Sequence, residues 1–453
     1  MIIFLSGCSP LQSAEQRAEK TIEKKEWLEH QKWWGVFDDP LLNKLADQLL
    51  NQNIDIQIAE ARLCEANALK VMARADFFPN ISGTASATRG NLSSPKLMNY
   101  TQTGLDTSWE IDIFGKRKAS VDSAESNQLR RAAGVDDARN IVIADLTKAV
   151  IEWRQATYTL NEIKGLVIVQ NNQIDLLSTR VKAGLIEASF LERALGLRAE
   201  TKAALPQIQA SANAAHYQIE KLINCRDDSV RKLLNDNRSL RIKLPEPQHL
   251  KTISFKSLAK RPDIKMAKAA LLETHADFRQ AEANLWPQVS LSTFFGVQHP
   301  SNTFFLASNL VWSIGSSLSF PLLNFGKLRG AVAAADARVQ QALLNYENTV
   351  NFALQETRTA LSDYLNALNA LKEQAQALKN RQNTVSIAKI RFEKGLTDMT
   401  DLTTVQTEVK QSTLNLISLT TDAAIAYVRF QKALGLSVIA YYRLSEKDFM
   451  ELS

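Results

Sequence analysis

The sequence contains few residues that interrupt helices. Its 453 residues include only 16 glycines and 11 prolines, below the average usage of roughly 7% and 5%, which predicts long helices. No apolar run reaches the length of about 18 residues expected of a membrane-spanning helix, although a membrane-spanning β-barrel stays open. The net charge of +6 is spread along the chain without a sustained basic block. Nucleic-acid binding is therefore not expected.

Motifs of catalytic, cofactor and metal sites are also missing. There is no P-loop, HExxH or GxSxG motif, which argues against an enzyme and predicts no cofactor. The five histidines and six methionines form no ligand cluster, so no metal site is predicted. The three cysteines are far apart and in no CxxC spacing, and Cys64 and Cys225 are predicted to be free buried thiols.

Cys8 differs from the other cysteines because it follows a short apolar run in MIIFLSGCS. This stretch resembles a bacterial lipobox, in which the cysteine becomes the acylated first residue and anchors the mature chain to a membrane. A chance cysteine near the terminus is the alternative, because the apolar segment is short and no basic residue precedes it. We predict lipidation at Cys8, with residues 1–8 as the remnant of a signal segment.

The chain contains an internal repeat. Four pairs of landmarks occur in the same order, separated by 208 residues in the first two pairs and by 211 residues in the last two. The pairs are Asp55 and Asp263, Pro79 and Pro287, Phe114 and Phe325, and Gly184 and Gly395. We interpret this as a tandem duplication. The increase of three residues between the second and third pairs predicts an insertion in a loop of that interval.

Each copy has two segments in which apolar and polar residues alternate, separated by a turn-rich stretch. They are predicted to be strands at about 80–90 and 101–113 in the first copy and about 288–298 and 309–320 in the second. Each has about the length of a tilted membrane-spanning strand. Four strands cannot close a barrel, which needs about eight. Strands from several chains would therefore have to combine.

Each pair of strands is followed by a long segment with apolar or small residues spaced three and four apart. This spacing predicts coiled-coil-like helices at about 116–183 and 327–394, each on the order of 100 Å long. Shorter helices at about 187–224 and 398–434 are predicted to return after a Gly-Leu turn. Pro206 lies inside the first returning helix and predicts a kink or break there.

These elements predict the domain boundaries. The plan is an N-terminal segment at 9–50 that packs on the helices, a first repeat at 51–243, a linker at 244–258, a second repeat at 259–437 and a C-terminal tail at 438–453. Both repeats have the same order of two strands, a long helix and a returning helix. The predicted fold class is therefore α+β.

Four stretches carry a family resemblance: KWWGVFDDPLLNKLADQLLNQNIDIQIAEARL, WEIDIFGKRKASV, RPDIKMAKAALLETHADFRQAEANLWPQVSLS and RFEKGLTDMTDLTTVQTEV. They resemble the TolC-like outer-membrane factors of bacterial tripartite efflux systems, especially the lipoprotein branch of the OprM and NodT type, over nearly the whole chain. The resemblance implies a TolC-like α+β membrane protein, a homotrimer with four barrel strands per protomer, a 12-stranded β-barrel and a long coiled-coil α-barrel. It also implies passive export of drugs or other small molecules.

The resemblance further implies the location and the partners. The chain would lie in the bacterial outer membrane, lipid-anchored and extending into the periplasm. Its partners would be outer-membrane lipid, a periplasmic adaptor protein and an inner-membrane pump of the RND type.

The turns between the long and returning helices are assigned to the periplasmic tip that meets the adaptor. Each turn contains the pattern Arg-x-x-x-Gly-Leu. The residues are Arg180, Gly184, Leu185, Arg391, Gly395 and Leu396. A C-terminal glycine and a basic residue in the last turn also suit any helix end, which explains much of the pattern without a partner.

A periplasmic gate is assigned close to the second turn. Asp401 matches the first of two aspartates that ring the entrance in this family, and the second position is Thr404 here. Three copies of a carboxylate around a narrow pore would repel one another and could bind cations or charged gating partners. Asp398 is a further candidate. For both aspartates, stabilisation of a helix N-terminus is an equally open interpretation.

Membrane-interface anchors are predicted where helices meet strands. The candidates are Phe77, Phe78, Trp286, Lys116, Arg117 and Lys118. The aromatic residues suit an interfacial belt. The basic residues open a long helix, where the dipole disfavours positive charge, and we hypothesise that they contact anionic headgroups. A solvated surface is the alternative.

Three other functions agree with part of the sequence. An exit duct for type I protein secretion would have the same fold. A soluble coiled-coil scaffold would explain the helices but not the twice-repeated strands. Metal-ion efflux lacks a cluster of histidine or methionine ligands.

Overall fold

The computed structural model describes residues 32–90, 98–225, 258–300 and 309–435, together with Leu234 and Leu244. Its helices are a short 3₁₀ helix at Trp33–Phe37, then α1 at Pro40–Gln52, α2 at Ile54–Ala75, α3 at Lys116–Lys182, α4 at Ala188–Ile223, α5 at Pro262–Ala283, α6 at Lys327–Glu393 and α7 at Met399–Ala433. Its strands are β1 at Asn80–Gly90, β2 at Met98–Ile111, β3 at Gln288–Pro300 and β4 at Asn309–Ser319. Cys8 lies outside the described residues.

The four strands form one antiparallel sheet in the order β1-β2-β3-β4. In the first hairpin Asn80 pairs with Ser108. The residues at the corresponding repeat positions, Gln288 and Ser319, pair in the second hairpin. The two hairpins therefore have the same register. The three-residue insertion must lie between the paired strands, as the repeat predicts.

The sheet has one apolar and one polar face, because successive side chains of a strand point to opposite sides. The apolar face carries a row of directly paired residues, Leu105, Phe295 and Trp312, all of them exposed. The polar face is rich in serine and threonine. On that face the Thr84 hydroxyl donates a hydrogen bond of 2.6 Å to the Asp106 carboxylate.

Two glycines allow β2 and β3 to approach closely in the middle of the sheet. Gly104 pairs directly with Gly296. A Cβ atom on Gly104 would lie 2.5 Å from the Phe295 carbonyl oxygen, and one on Gly296 would lie 2.4 Å from the Thr103 carbonyl oxygen. The buried ring of Phe294 occupies the space above both glycines. A side chain at either position has no room.

The long helices α3 and α6 have 67 residues each. Helix α4 continues without interruption through Pro206, so the predicted break is wrong. Pro206 lacks the donor that would reach the carbonyl of Lys202. Because both residues are exposed, water can satisfy that carbonyl, while the C-terminal half of the helix packs Ala212, Ala215 and Ile219 inward.

The chain divides into two compact units that cut across the two repeats. The first unit takes Ala59–Val135 and Pro262–Val350, and therefore contains the whole sheet. The other described residues belong to the second unit. Within the first unit, Arg130 of α3 forms an ion pair of 3.0 Å with Glu273 of α5.

The second unit has an aromatic core around the 3₁₀ helix. Trp33 and Phe37 are buried against Tyr427 of α7, with ring centroids 6.4 and 5.6 Å away. Beside this core Asp39 caps α1 by accepting a hydrogen bond from a backbone amide, and also pairs with Arg154 of α3 at 2.7 Å. Burial lowers the pKa of Arg154, and the Asp39 carboxylate opposes this shift. The pair ties residues 33–52 to α3.

The prediction of free buried cysteines is wrong for Cys64. This residue is disulfide-bonded and half-buried in α2. Cys225 is also only half-buried, where it packs against the core of the second unit.

Candidate functional site

The two predicted tip turns have the same backbone geometry. The glycines have positive φ angles, 71° at Gly184 and 69° at Gly395, a conformation that costs glycine little because it has no Cβ. In each turn the amide of Leu185 or Leu396 donates a hydrogen bond to the arginine carbonyl five residues earlier, at 2.9 and 2.8 Å. This is the Schellman pattern that ends a helix. It leaves the two leucine side chains 72% and 66% exposed.

The two tip arginines differ in their contacts. Arg180 pairs with Asp398, which joins the end of α3 to the start of α7. Arg391 occupies the corresponding position at the end of α6, is exposed, and forms no ion pair with any described residue. The repeat position that matches Asp398 is Glu187, which is exposed and accepts a hydrogen bond only locally, from Ser189 at 3.2 Å. Of the two matching combinations of an arginine and an acid, only Arg180 and Asp398 form an ion pair within the described chain.

Asp398 has two roles in the structure. It is the N-cap of α7, accepting a hydrogen bond from the Met399 amide, and it binds the Arg180 guanidinium. The hydrogen bond from Arg180 is the main reason that the pKa of Asp398 lies below its ordinary value. The same bond raises the pKa of Arg180. Helix stabilisation, one of the two interpretations of Asp398 from the sequence, is therefore a contact in the structure, and the gate stays a prediction.

The other two gate candidates make only local contacts. Asp401 is exposed in the first turn of α7 and accepts a hydrogen bond of 2.6 Å from the Thr397 hydroxyl. Thr404 is exposed and donates its hydroxyl to the Thr400 carbonyl, one turn earlier, at 2.8 Å. Neither residue meets a charged side chain within the described chain. Asp398 and Arg180 are thus the charged pair that the structure brings together.

The aromatic anchors lie where α2 and α5 end. Phe78 is 70% exposed, and the neighbouring Phe77 accepts a hydrogen bond at its carbonyl from the Trp109 indole, at 2.9 Å. Trp286 is 56% exposed and stacks on Phe114, with ring centroids 5.5 Å apart and planes 11° apart. An interfacial belt requires exposed aromatic side chains, and these rings have that property.

The basic start of α3 is neutralised within the first unit. Lys116 pairs with Glu110 at 3.3 Å, and Arg117 pairs with the same carboxylate at 2.6 Å and with Asp76 at 3.3 Å. Asp112 accepts hydrogen bonds from the first backbone amides of the helix, at 2.9 and 2.8 Å. Three carboxylates thus offset the charges that the helix dipole disfavours.

Lys118 is the third residue of this basic run. It is exposed and forms no ion pair among the described residues. The acidic partners of Lys116 and Arg117 were not predicted from the sequence. Glu110 and Asp112 nevertheless stand just before the basic run in WEIDIFGKRK. An acidic residue a few positions before a helix start is a recognisable capping signal.

Membrane-spanning helices and metal-binding clusters are both absent from the described ranges. None of the helices there is long and apolar enough to cross a membrane. No group of three or more histidine, cysteine or acidic side chains in those ranges is arranged to hold a metal ion.

Comparison with known proteins confirms the predicted resemblance. The profile of the family "Outer membrane efflux protein" matches residues 45–224 and 254–436. Nodulation protein T of Rhizobium leguminosarum bv. trifolii is 25% identical over 413 residues, covering 89% of this chain and 87% of that protein. Outer membrane protein OprJ of Pseudomonas aeruginosa is 26% identical over 422 residues, covering 89% and 85%.

Solved structures give the same result. The outer-membrane channel OprN superimposes with a TM-score of 0.80 at 29% identity, covering 89% of this chain and 92% of that chain. The α+β, TolC-like fold class predicted from the sequence is thereby confirmed. The family profile covers well over half of the chain. The chain therefore belongs to the outer membrane efflux protein family.

Proposed function

We propose that this outer membrane efflux protein is the passive exit duct of a tripartite efflux system and exports drugs or other small molecules without catalysing a reaction. The observation that carries the proposal is the four-stranded sheet, which has one exposed apolar face. Its outer strands β1 and β4 each pair on one side only within the described chain. Unpaired strand edges are not tolerated in lipid. The sheet therefore needs further copies to become a membrane barrel, which we take to be a homotrimer.

The internal repeat supplies the register of the missing strand pair. In the chain, β2 of the first repeat pairs with β3 of the second, with Asp106 opposite Phe294. If neighbouring chains are related in the same way as the two repeats of one chain, β4 pairs with β1 of a neighbouring copy. The repeat offsets then place Ser317 opposite Ser86. Directly opposed residues of neighbouring strands lie on the same face of a sheet, and both serines belong to the polar face. The predicted register therefore closes the barrel without reversing either face.

A disulfide cross-link tests this arrangement. We expect the double variant Ser317→Cys/Ser86→Cys to form covalent trimers after mild oxidation in the outer membrane, because opposed Cβ atoms lie about 4.5–5.5 Å apart. The measurement is non-reducing gel electrophoresis of outer-membrane fractions. The control variant Ser317→Cys/Ala85→Cys places its two thiols on opposite faces and should not cross-link. A soluble chain, or equal cross-linking of both variants, would overturn the proposed duct.

The tip turns are proposed to contact a periplasmic adaptor protein that connects the duct to an RND-type inner-membrane pump. Two exposed leucines on turns of the same backbone geometry are suitable apolar anchors for such a contact. The candidate residues are Arg180, Gly184, Leu185, Arg391, Gly395 and Leu396. Among them, Arg180 also engages Asp398, so the leucines carry the proposal of direct contact.

Charged substitutions at the tip leucines should disconnect the duct. We expect Leu185→Asp/Leu396→Asp to reduce the adaptor that co-purifies with the channel by at least about tenfold, as for loss of interface anchors. Leu185→Val/Leu396→Val keeps the apolar character and should retain the adaptor. Mass spectrometry of the purified complex identifies the adaptor and pump. Unchanged recovery with the aspartate variant would refute the contact.

Lipid anchoring is proposed from the sequence around Cys8. An acyl anchor at this residue would hold the N-terminal end of the chain at the membrane, in addition to the aromatic belt of Phe77, Phe78 and Trp286. Mass spectrometry of the N-terminal peptide measures the modification directly. A Cys8 that carries no lipid would contradict this part of the proposal, and would leave its thiol available to Cys64, the disulfide-bonded cysteine of α2.

A further inference from the structure

A cleft of about 270 Å³ lies in the first unit, between the start of α3 and the end of α5. The stacked rings of Phe114 and Trp286 form part of its wall, and Lys118, Arg279 and Glu282 also line it. This volume is below the roughly 300–1,000 Å³ of ordinary small-molecule pockets. The cleft therefore suits a small polar group that extends from a larger molecule.

The charges that line the cleft are of both signs and incompletely used. Lys118 and Glu282 are exposed and form no ion pair among the described residues. Arg279 binds Asp122 through Nη2 at 2.8 Å. The buried Nε of Arg279 has no hydrogen-bond partner among the described residues. The cleft thus offers two cationic side chains with open donors and one carboxylate acceptor.

We propose that the cleft binds the phosphoethanolamine headgroup of a phospholipid. The phosphate would accept hydrogen bonds from Lys118 and Arg279, and the ammonium group would donate to Glu282 beside the rings of Phe114 and Trp286. A zwitterionic headgroup satisfies all three charged side chains at once. An anionic headgroup without the ammonium would leave Glu282 repelled.

A membrane lipid is the favoured source of this headgroup because exposed apolar side chains lie at the cleft. Ile113 directly precedes Phe114 and is 59% exposed, and the rings of Phe114 and Trp286 are themselves 43% and 56% exposed. Such a surface accepts acyl chains, which a soluble phosphorylated compound does not have. This step rests on the proposed function, which places the start of α3 and the end of α5 at the membrane interface.

The second repeat provides an internal comparison. The residue that corresponds to Lys118 is Arg329, but Arg74 and Val71 replace the acid and the arginine that correspond to Glu282 and Arg279. The repeated junction therefore keeps a cation and loses the acceptor for an ammonium group. One phosphoethanolamine site per chain is expected. Arg329→Gln is the matched control for Lys118→Gln.

Native mass spectrometry of the full-length assembly tests the proposal. The probes are phosphatidylethanolamine, phosphatidylcholine and phosphatidylglycerol with the same acyl chains, added to delipidated protein. We expect phosphatidylethanolamine to bind at one molecule per chain. Lys118→Gln and Glu282→Gln should each weaken this binding roughly tenfold, as expected for loss of a hydrogen bond to a charged group. Arg329→Gln should leave it unchanged.

Three outcomes would overturn the headgroup site. They are equal binding of the three lipids, equal effects of Lys118→Gln and Arg329→Gln, and displacement of the lipid by soluble glycerophosphoethanolamine at matched concentration, which would make a free solute the ligand. The Ser317–Ser86 cross-link is measured in the same variants. If the cross-link forms but the lipid preference is absent, the headgroup site fails while the exit duct stands.

Discussion

Gly104→Val is expected to prevent assembly of the sheet and to remove the protein from the outer membrane. The Cβ atom would lie 2.5 Å from the Phe295 carbonyl oxygen and 2.7 Å from the Cα of Gly296. Both are backbone atoms of the paired strand, so rotation of a side chain cannot relieve the contact. The cost should exceed the roughly 1–3 kcal/mol typical of overpacking, because β2 and β3 must separate in the middle of the sheet.

A second glycine on the same face provides the control. A Cβ atom on Gly315 of β4 would lie 3.6 Å from the Ser292 hydroxyl, which is an ordinary contact. Gly315→Ala should therefore fold normally, whereas Gly104→Ala should already reduce the protease-resistant protein in outer-membrane fractions. Equal yields of the two alanine variants would show that the Gly104–Gly296 approach is not required for the sheet.

The elements of the fold are largely predictable from the sequence because each depends on a local pattern. Alternation with a period of two places the strands, and spacing of three and four places α3 and α6, to within a few residues of the observed ends. The repeat also locates the insertion between the paired strands. Local rules fail at Pro206, where the exposed surface lets water replace the lost hydrogen bond.

The partners of the site residues are much harder to predict. Arg180 and Asp398 are 218 residues apart, and their pairing depends on how two helix ends meet in the second unit. Asp39 and Arg154 are likewise joined only through packing. Trp286 can be identified from its position at a helix end, but its stacking on Phe114 cannot. Sequence patterns predict which face a residue occupies and not which residue it meets.

The ion pair of Arg180 with Asp398 is proposed to hold the periplasmic gate closed. It joins the tip turns of the two repeats in one chain. If neighbouring chains are related as the two repeats are, a second pair is predicted between Arg391 and Glu187 of a neighbouring chain. The charges agree at both positions, since each pair has an arginine and an acid. In a trimer the two kinds of pair would alternate around the entrance. Asp401 and Thr404, which make local contacts, would line the pore beside them.

Loss of these pairs should open the channel. We expect Arg180→Gln/Arg391→Gln to increase single-channel conductance in planar bilayers severalfold, because both contacts that hold the helix ends together are removed. Arg381→Gln is the control, since Arg381 lies ten residues before Arg391 in α6 and contacts Glu408, through an ion pair of 3.9 Å and a hydrogen bond of 3.3 Å to its carbonyl, and not the tip turns. Asp398→Asn removes only the pair with Arg180 and should therefore give a smaller increase, while it keeps the N-cap of α7. Wild-type conductance in both would refute the latch.

The pH dependence of conductance provides an independent test of the same pair. Because the hydrogen bond from Arg180 lowers the pKa of Asp398, the charged pair persists above the ordinary pKa of an aspartate and is lost only as the pH falls through the lowered value. Conductance should therefore stay constant from pH 7 to about 5 and rise only under strongly acidic conditions. In Arg180→Gln the pair is already absent, so the part of the acid-induced rise in conductance that comes from Asp398 should disappear. A wild-type channel that opens near pH 6 would require a titrating group other than Asp398 at the latch.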